Sequence, residues 1–306
     1  MKPVVVNGAG KSYGNIAALK SVSFTAERGE IFGIIGPDGC GKTTLFRILT
    51  TLIIPDSGEV FVDGFNVVRD YKSVRGRVGY MPGRFSLYQD LTVEENLSLF
   101  ATVFNTTVKE NYHLIEDIYK HLEPFKKRRA AALSGGMKQK LALCCALIHK
   151  PSVLFLDEPT TGVDPVSRKE FWDMLKRLAK QGISIIVSTP YMDEAKLCDR
   201  VALMLNGSFL KIDTPQNIVK AYDRPLISAK CSRMSKLLED VRNLPEIKSA
   251  FAFGDVHHLA ANQSSIDIDI LSQKIINMGY IDIQLKWISP TIEDSYMLFS
   301  ENIKSN

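Results

Sequence analysis

Nine residues constrain the fold of this chain more than any others: Gly36-Pro37-Asp38-Gly39-Cys40-Gly41-Lys42-Thr43-Thr44. They fit G-x-x-x-x-G-K-[ST]. An apolar run at 31–35 (IFGII) precedes them, and residues 43–50 carry Leu45, Ile48 and Leu49 on one helical face. Polyphosphate is strongly anionic. Successive backbone N–H groups in a glycine turn form a concave anion site, and the start of the following helix adds partial positive charge. Side chains at the glycine positions would block that approach. Lys42 can reach the β- and γ-phosphates of a nucleotide, and the Thr43 hydroxyl can ligate Mg²⁺. A buried strand that delivers such a turn to a helix belongs to an α/β domain.

The rest of the chain fits that class. Up to about residue 220, short apolar runs alternate with longer amphipathic ones. The runs predict strands at 59–62, 78–81, 153–156, 183–188, 201–205 and 208–212, the last two flanking the hairpin signal Asn206-Gly207. Helices are expected at 92–104, 109–121, 136–149 and 166–180, with a short one at 191–198. The pattern changes near Asp223-Arg224-Pro225. Beyond it, strands at 226–230, 248–253 and 281–286 and helices at 235–242 and 268–278 predict a small α+β unit. A last helix starts after Ser289-Pro290, with Ile292, Tyr296 and Phe299 on one face. The expected division is therefore 1–222 and 223–306, with a helical stretch at about 84–150. His257-His258 reads as a loop pair.

Composition narrows the function classes. The 306 residues are 45% hydrophobic and 24% charged, as in folded proteins. A net charge of +4 is too small to argue for nucleic acid. The longest apolar runs, 141–148 (LALCCALI) and 31–35, are far short of the ~20 residues of a spanning helix, and the first residues lack the apolar core of a signal peptide. The chain is expected not to cross a membrane itself. Its five cysteines, Cys40, Cys144, Cys145, Cys198 and Cys231, show no metal-ligand spacing and read as reduced thiols.

Two further motifs carry chemistry. Residues 153–158 (VLFLDE) bring Asp157 and Glu158 to the end of an apolar strand, where ligands sit in open α/β sheets. Asp157 suits a metal shell, and Glu158 suits polarising an attacking water. Leu133-Ser134-Gly135-Gly136-Met137 opens a helix with Ser134 as its N-cap and two glycines that expose backbone N–H groups. That is either a plain helix cap or a second anion site, although the first loop already cradles one nucleotide's phosphates.

On these motifs the sequence resembles the ATP-binding subunit of ATP-binding-cassette (ABC) transporters. LSGGM at 133–137 resembles that family's signature, with Met137 where Gln is common. Tyr13, in KSYG, matches the aromatic that stacks on adenine, and residues 159–165 (PTTGVDP) match the loop after the Walker B strand, with Asp164 as its acidic member. The resemblance covers residues 1 to about 215. It implies a P-loop NTPase cassette, a mixed sheet core with a helical subdomain, that uses ATP and Mg²⁺. It also implies a head-to-tail dimer with a second cassette, in which Ser134, Gly135 and Gly136 close on the nucleotide of the partner. Separate transmembrane permease subunits would hold the pair on the inner face of the cell membrane. A finer resemblance, to type-two multidrug exporters, rests on Phe85-Ser86-Leu87-Tyr88, residues 91–97 (LTVEENL), residues 191–195 (YMDEA) and residues 289–296 (SPTIEDSY). In that family the groove between Met81 and about Phe104 receives the permease.

Two positions depart from the pattern. After Gly79-Tyr80-Met81-Pro82 the family usually has Gln, and this chain has Gly83; after Ser188-Thr189 it usually has His, and this chain has Pro190. Proline offers neither a side-chain donor nor an N–H. Both losses fall on the half-site built from this chain's own loops, so that site is expected to bind ATP and turn over slowly. The signature, which serves the opposite site, is intact. A heterodimer is therefore favoured, with a tolerant homodimer as the alternative. Rival readings are a soluble ABC ATPase acting on ribosomes or DNA, and a regulatory module that closes on ATP with little hydrolysis. Lys126-Lys127-Arg128-Arg129 reads as a solvated face, or else as a contact to a membrane subunit or anionic lipid.

Overall fold

The computed structural model describes residues 1–262 and 266–304, with side chains up to residue 301. The chain divides into two compact units, Met1–Pro215 and Gln216–Asn306. The break comes a few residues ahead of the expected one, at the start of a helix (Pro215–Lys220) that opens on proline.

The first unit is built on two sheets. In chain order its elements are β1 (Val4–Tyr13), β2 (Ile16–Ala26), β3 (Ile31–Ile35), α1 (Lys42–Leu49), β4 (Ser57–Val62), β5 (Phe65–Asn66), α2 (Tyr71–Arg75) and β6 (Val78–Met81). Then come α3 (Val93–Val103), α4 (Val108–Tyr119), α5 (Gly135–Leu147), β7 (Val153–Asp157), α6 (Pro165–Lys180), β8 (Ser184–Thr189), β9 (Arg200–Leu205) and β10 (Ser208–Asp213). A six-stranded sheet runs β10-β9-β3-β8-β7-β6, parallel except for the β9–β10 hairpin. Every residue of β3, β7 and β8 is buried, as expected of parallel strands covered on both faces. An antiparallel sheet, β2-β1-β4-β5, shares a core with it through Val6, Phe24, Phe32, Phe46 and Phe155.

The sequence pattern does not predict β1 and β2. Their pairing shifts register at several points near Gly8 and Gly10, so the apolar residues lose their period of two. The α3 and α4 helices both start on capping boxes, Thr92 with Glu95 and Thr107 with Glu110. The short helix expected at 191–198 is a 3-10 segment, Met192–Leu197.

The Pro215–Lys220 helix is α7. The second unit continues with β11 (Leu226–Lys230), α8 (Met234–Arg242), β12 (Ile247–Phe253), β13 (Val256–Ala261), α9 (Ile268–Asn277), β14 (Gln284–Ile288) and α10 (Ile292–Lys304). Its sheet is antiparallel, in the order β12-β13-β11-β14. Leu237 and Val241 of α8 and Leu271 and Ile275 of α9 pack with Ile227, Ala229 and Leu259 of the sheet. Two expectations need correction. His257 and His258 lie on β13, not in a loop: His257 Nε2 is 2.7 Å from the Met234 carbonyl, and His258 Nδ1 is 2.7 Å from Asp294 Oδ1. The strand expected at 281–286 runs instead over Gln284–Ile288, paired with β11. Among the described residues no helix is long and apolar enough to cross a membrane. All five cysteines are free and buried.

Candidate functional site: a phosphate loop, two carboxylates and a separate glycine turn

The loop from Gly36 to Gly41 joins β3 to α1, and its glycines answer specific constraints. A Cβ on Gly36 would stand 2.3 Å from the Met204 carbonyl oxygen. Gly41 sits at φ 114°, and a Cβ there would stand 2.4 Å from the Ala18 carbonyl oxygen. Only glycine satisfies both the dihedral and the close approach. Gly41 is the N-cap of α1 and has no side chain to cap it, so the first-turn N–H groups keep their capacity for an anion. Cys40 is buried beside Gly36, and burial pushes its thiol pKa up.

Lys42 is 3% exposed. Its ammonium donates to the carbonyls of Gly36 (2.8 Å) and Pro37 (3.0 Å) and pairs with Glu158 Oε1 at 3.2 Å. Asp38 is a more distant partner at 3.9 Å, on the exposed side of the loop. Thr43 and Thr44 are half-buried in the first turn of α1.

Asp157 ends β7 and is buried; the Ser188 hydroxyl donates to its Oδ1 at 2.6 Å. The contact follows from register, since Asp157 and Ser188 are cross-strand partners in the β7–β8 pair. Ser188 also holds the next residue, because the Glu158 N–H donates to the Ser188 carbonyl (3.1 Å) and hydroxyl (3.0 Å). Glu158 sits at φ 51°, a conformation that costs a non-glycine residue about 1–3 kcal/mol and persists where neighbours fix it. A Thr43 hydroxyl and the Asp157 carboxylate are hard oxygen donors, and that donor set fits Mg²⁺.

The two departures from the family pattern border this cluster. A Cβ on Gly83 would stand 3.2 Å from the Asp157 carbonyl oxygen and 3.8 Å from the Glu158 Cβ. Pro190 follows Thr189, whose carbonyl accepts the Gly36 N–H at 3.3 Å.

The remaining candidates lie on other elements. Tyr13 ends β1 and is 46% exposed; the following strand, β2, touches Gly41. Ser134 caps α5 by accepting the Met137 N–H at 3.3 Å, and Gly135 is exposed behind it. A Cβ on Gly136 would stand 2.7 Å from Ser167 Oγ, so the glycine lets α5 rest on the start of α6. Asp164 caps α6 by accepting from the N–H groups of Val166 (3.1 Å) and Ser167 (2.9 Å), and these bonds hold its carboxyl below its ordinary pKa. Among the described residues, no hydrogen bond or ion pair ties Tyr13 or Ser134 to the phosphate loop. The described residues therefore present a compact phosphate-loop cluster and, on other elements, a separate glycine turn at a helix start.

A 350 Å³ groove opens beside these elements, lined among others by Leu52, Met81, Leu87, Phe100, Phe104 and His149. The family resemblance pointed to the 81–104 part of it. It gave no sign of His149, which stacks on Phe104 with ring centres 3.7 Å apart.

The family model described as ABC transporter matches residues 19–161. A Nod factor export ATP-binding protein of Rhizobium sp. (strain N33) is 37% identical over 227 residues, covering 72% of this chain and 75% of that protein. The chain belongs to the ABC transporter family. The cassette is also 36% identical over 300 residues to a probable multidrug ABC transporter ATP-binding protein, YbhF, of Escherichia coli (strain K12). That match covers 96% of this chain and 51% of the relative, so the cassette spans about half of that protein's length. Among solved structures, a dimeric post-hydrolysis ATP-binding cassette bound to ADP and Pi superposes with a TM-score of 0.63 at 27% identity. The match covers 69% of this chain and 98% of that one. The mixed sheet with a phosphate loop at the end of β3 is thus the cassette fold.

Proposed function

We propose that this chain is the ATP-hydrolysing subunit of a membrane exporter and works as one of two cassettes. The observation that carries the reading is the cluster at the phosphate loop. Lys42 and Glu158 are ion-paired at 3.2 Å beside an Asp157 fixed by Ser188 at 2.6 Å. The backbone of residues 36–44 and Lys42 bind the triphosphate of ATP, and Tyr13 stacks on the adenine. Thr43 and Asp157 hold Mg²⁺, which when bound clamps and neutralises phosphate charge. Glu158 accepts the proton of the water that attacks the γ-phosphorus, at the carboxylate now paired with Lys42.

The signature Ser134-Gly135-Gly136 serves a second cassette's nucleotide, because an exposed glycine turn at a helix start is an anion site without a phosphate loop of its own. ATP closes the pair, and hydrolysis reopens it. The groove at Met81, Phe100 and Phe104 receives a segment of a permease subunit, which keeps the cassette on the inner face of the cell membrane. The names of the relatives, a probable multidrug transporter and a Nod factor exporter, support export over import.

Glycine at 83 and proline at 190 make this chain's own half-site the slow one. Each removes a polar contact of a kind that costs roughly 10²–10³ in rate when it is lost. The preferred partner is then a cassette that retains both contacts. We take residues 1–222 as the nucleotide-binding part and 223–306 as an extension that the chemistry does not need.

Fractionation tests the reading. Expressed with its natural membrane subunits, the chain should sediment with membranes and show ATP turnover. Leu52→Asp, at an exposed position on the groove rim, should release it to the supernatant with nucleotide binding intact. A parent chain that stays in the supernatant and follows ribosomes or DNA would refute the export reading.

A further inference from the structure

Glu194 is a buried carboxylate that the phosphate chemistry does not use. Glu194 lies in the 3-10 segment after β8 and is 1% exposed. Its Oε1 accepts the hydroxyl of Thr160 at 2.7 Å and stands 3.6 Å from Arg168 Nε, while its Oε2 makes no hydrogen bond among the described residues. Arg168 is drawn to the same segment a second time, with its guanidinium 4.3 Å from the centre of the Tyr191 ring. A carboxylate in such a place is costly unless it is held, so a sequence that keeps one there gains something other than burial.

Thr160 and Arg168 belong to the segment that supports the signature. The start of α5 lines one narrow cleft together with Pro159, Thr160, Val163 and Ser167. A Cβ on Gly135 would stand 3.6 Å from the Gly162 carbonyl oxygen, and one on Gly136 2.9 Å from the Ser167 Cβ. Lys140 of α5 pairs with Glu170 of α6 at 2.8 Å, one turn further on. Thr160 lies in the turn at 159–162 and Arg168 beyond it, in the first turn of α6. One carboxylate thus reaches both sides of the platform under Ser134-Gly135-Gly136, from a segment that begins directly after Thr189 and Pro190.

We propose that Glu194 is a positioning residue for the signature turn: by holding Thr160 and Arg168 it fixes the platform on which that turn rests, and so links the segment after Thr189 of one half-site to the signature that completes the other. The inference rests on the proposed role of Ser134-Gly135-Gly136 toward a partner's nucleotide. It needs no particular partner, because a signature out of place slows whichever site it completes. The Thr160 bond is short and the Arg168 contact long, so Thr160 bears most of the link and its hydroxyl is the atom to remove.

The test uses the complete complex with its natural partners and reads kcat, KM for ATP and melting midpoint. Nucleotide affinity is read on the chain alone. Thr160→Val keeps the shape of the side chain and removes the donor. Its kcat should fall about tenfold, the factor to which about 1.4 kcal/mol corresponds, with KM and the affinity of the chain alone within about twofold. Thr160→Ser restores the donor and should restore turnover. Glu194→Ala should be at least as slow as Thr160→Val, and if it does not fold, Thr160→Val carries the test alone. A Thr160→Val complex that turns over within twofold of its parent below its melting midpoint would overturn the inference, even if the midpoint drops. So would a parallel loss of nucleotide affinity in the isolated chain, which would place the role at the phosphate loop. Ser134→Arg is the control. If it abolishes turnover and Thr160→Val does not slow it, only the positioning role fails; if it leaves turnover intact, the signature reading fails and the inference with it.

Discussion

Glu158 holds its carboxylate 3.2 Å from the Lys42 ammonium, and the Lys42 side chain is 3% exposed. The pair joins the start of α1 to the end of β7, elements more than a hundred residues apart in sequence. In the proposed mechanism it puts the cation that would bind phosphate next to the carboxylate that would take a proton from water. On that proposal a phosphate entering the loop would compete with Glu158 for the same ammonium and so would free the base.

Removing that cation tests the phosphate loop. Lys42→Ala should weaken ATP binding about 10- to 100-fold, the range for losing one charge-assisted contact. Titration calorimetry on the purified chain measures it. Unchanged affinity would show that the glycine turn does not hold the triphosphate.

The extension should be separable from nucleotide binding. Contacts divide the chain at Pro215/Gln216, and the helix α7 runs on to Lys220. A chain ended after Ala221 keeps that helix and all of the phosphate cluster. It should bind ATP with the affinity of the full chain in the same calorimetric assay. A folded, soluble truncation that fails to bind would move the functional boundary into the second unit.

His149 gives a pH dependence whose sign follows from burial. Burial is the main influence on this ring and holds its pKa below 6.5; a hydrogen bond between Nε2 and the Val78 carbonyl at 3.0 Å acts weakly the other way. Below pH 6.5 the unfolded chain takes up a proton that the folded chain refuses, so stability falls as the pH drops from 6.5 toward the folded value. Above pH 6.5 the contribution is fully present. Thermal melting between pH 7.5 and 5.5 should show this slope, and His149→Phe, which can still stack on Phe104, should flatten it. An equal slope in that variant would assign the effect to another group.

The phosphate loop was legible in the sequence because it is local. Nine consecutive residues, an apolar run before them and a helical face after them carry the whole signal. Asp157 and Glu158 were legible for the same reason. Ser188 was not, because its bond to Asp157 depends on the parallel register of β7 and β8, which no local pattern encodes. Glu194 was hidden in the same way: residues 191–198 read as a short helix, and nothing near them shows that Thr160 and Arg168 converge on one carboxylate. His257 and His258 were misread because an adjacent pair carries no period, and only pairing with β11 and β12 reveals a strand. The β1–β2 hairpin escaped because its register shifts erase the alternation that marks a strand.

The last prediction concerns asymmetry between the half-sites. Gly83 borders the Asp157 carbonyl and Glu158, and Pro190 follows the residue whose carbonyl holds Gly36, so both departures touch the site of this chain's own phosphate loop. The Ser134-Gly135-Gly136 turn lies on other elements, and in the proposed assembly it serves the opposite nucleotide. In a heterodimer whose partner retains Gln and His at these positions, the partner's loop and this chain's signature form the fast site. Ser134→Arg should then abolish most ATP turnover, because a long cation fills the fast site. Glu158→Gln should lower turnover by less than about twofold, since it touches only a site already slowed by two missing contacts. In a homodimer each substitution strikes both sites, and both should be severe. The pair of variants, assayed for phosphate release with the natural partners present, separates the two assemblies. If Glu158→Gln eliminates hydrolysis as completely as Ser134→Arg, the asymmetric reading is wrong, and the attacking water at this site must be oriented without the two side chains that glycine and proline replace.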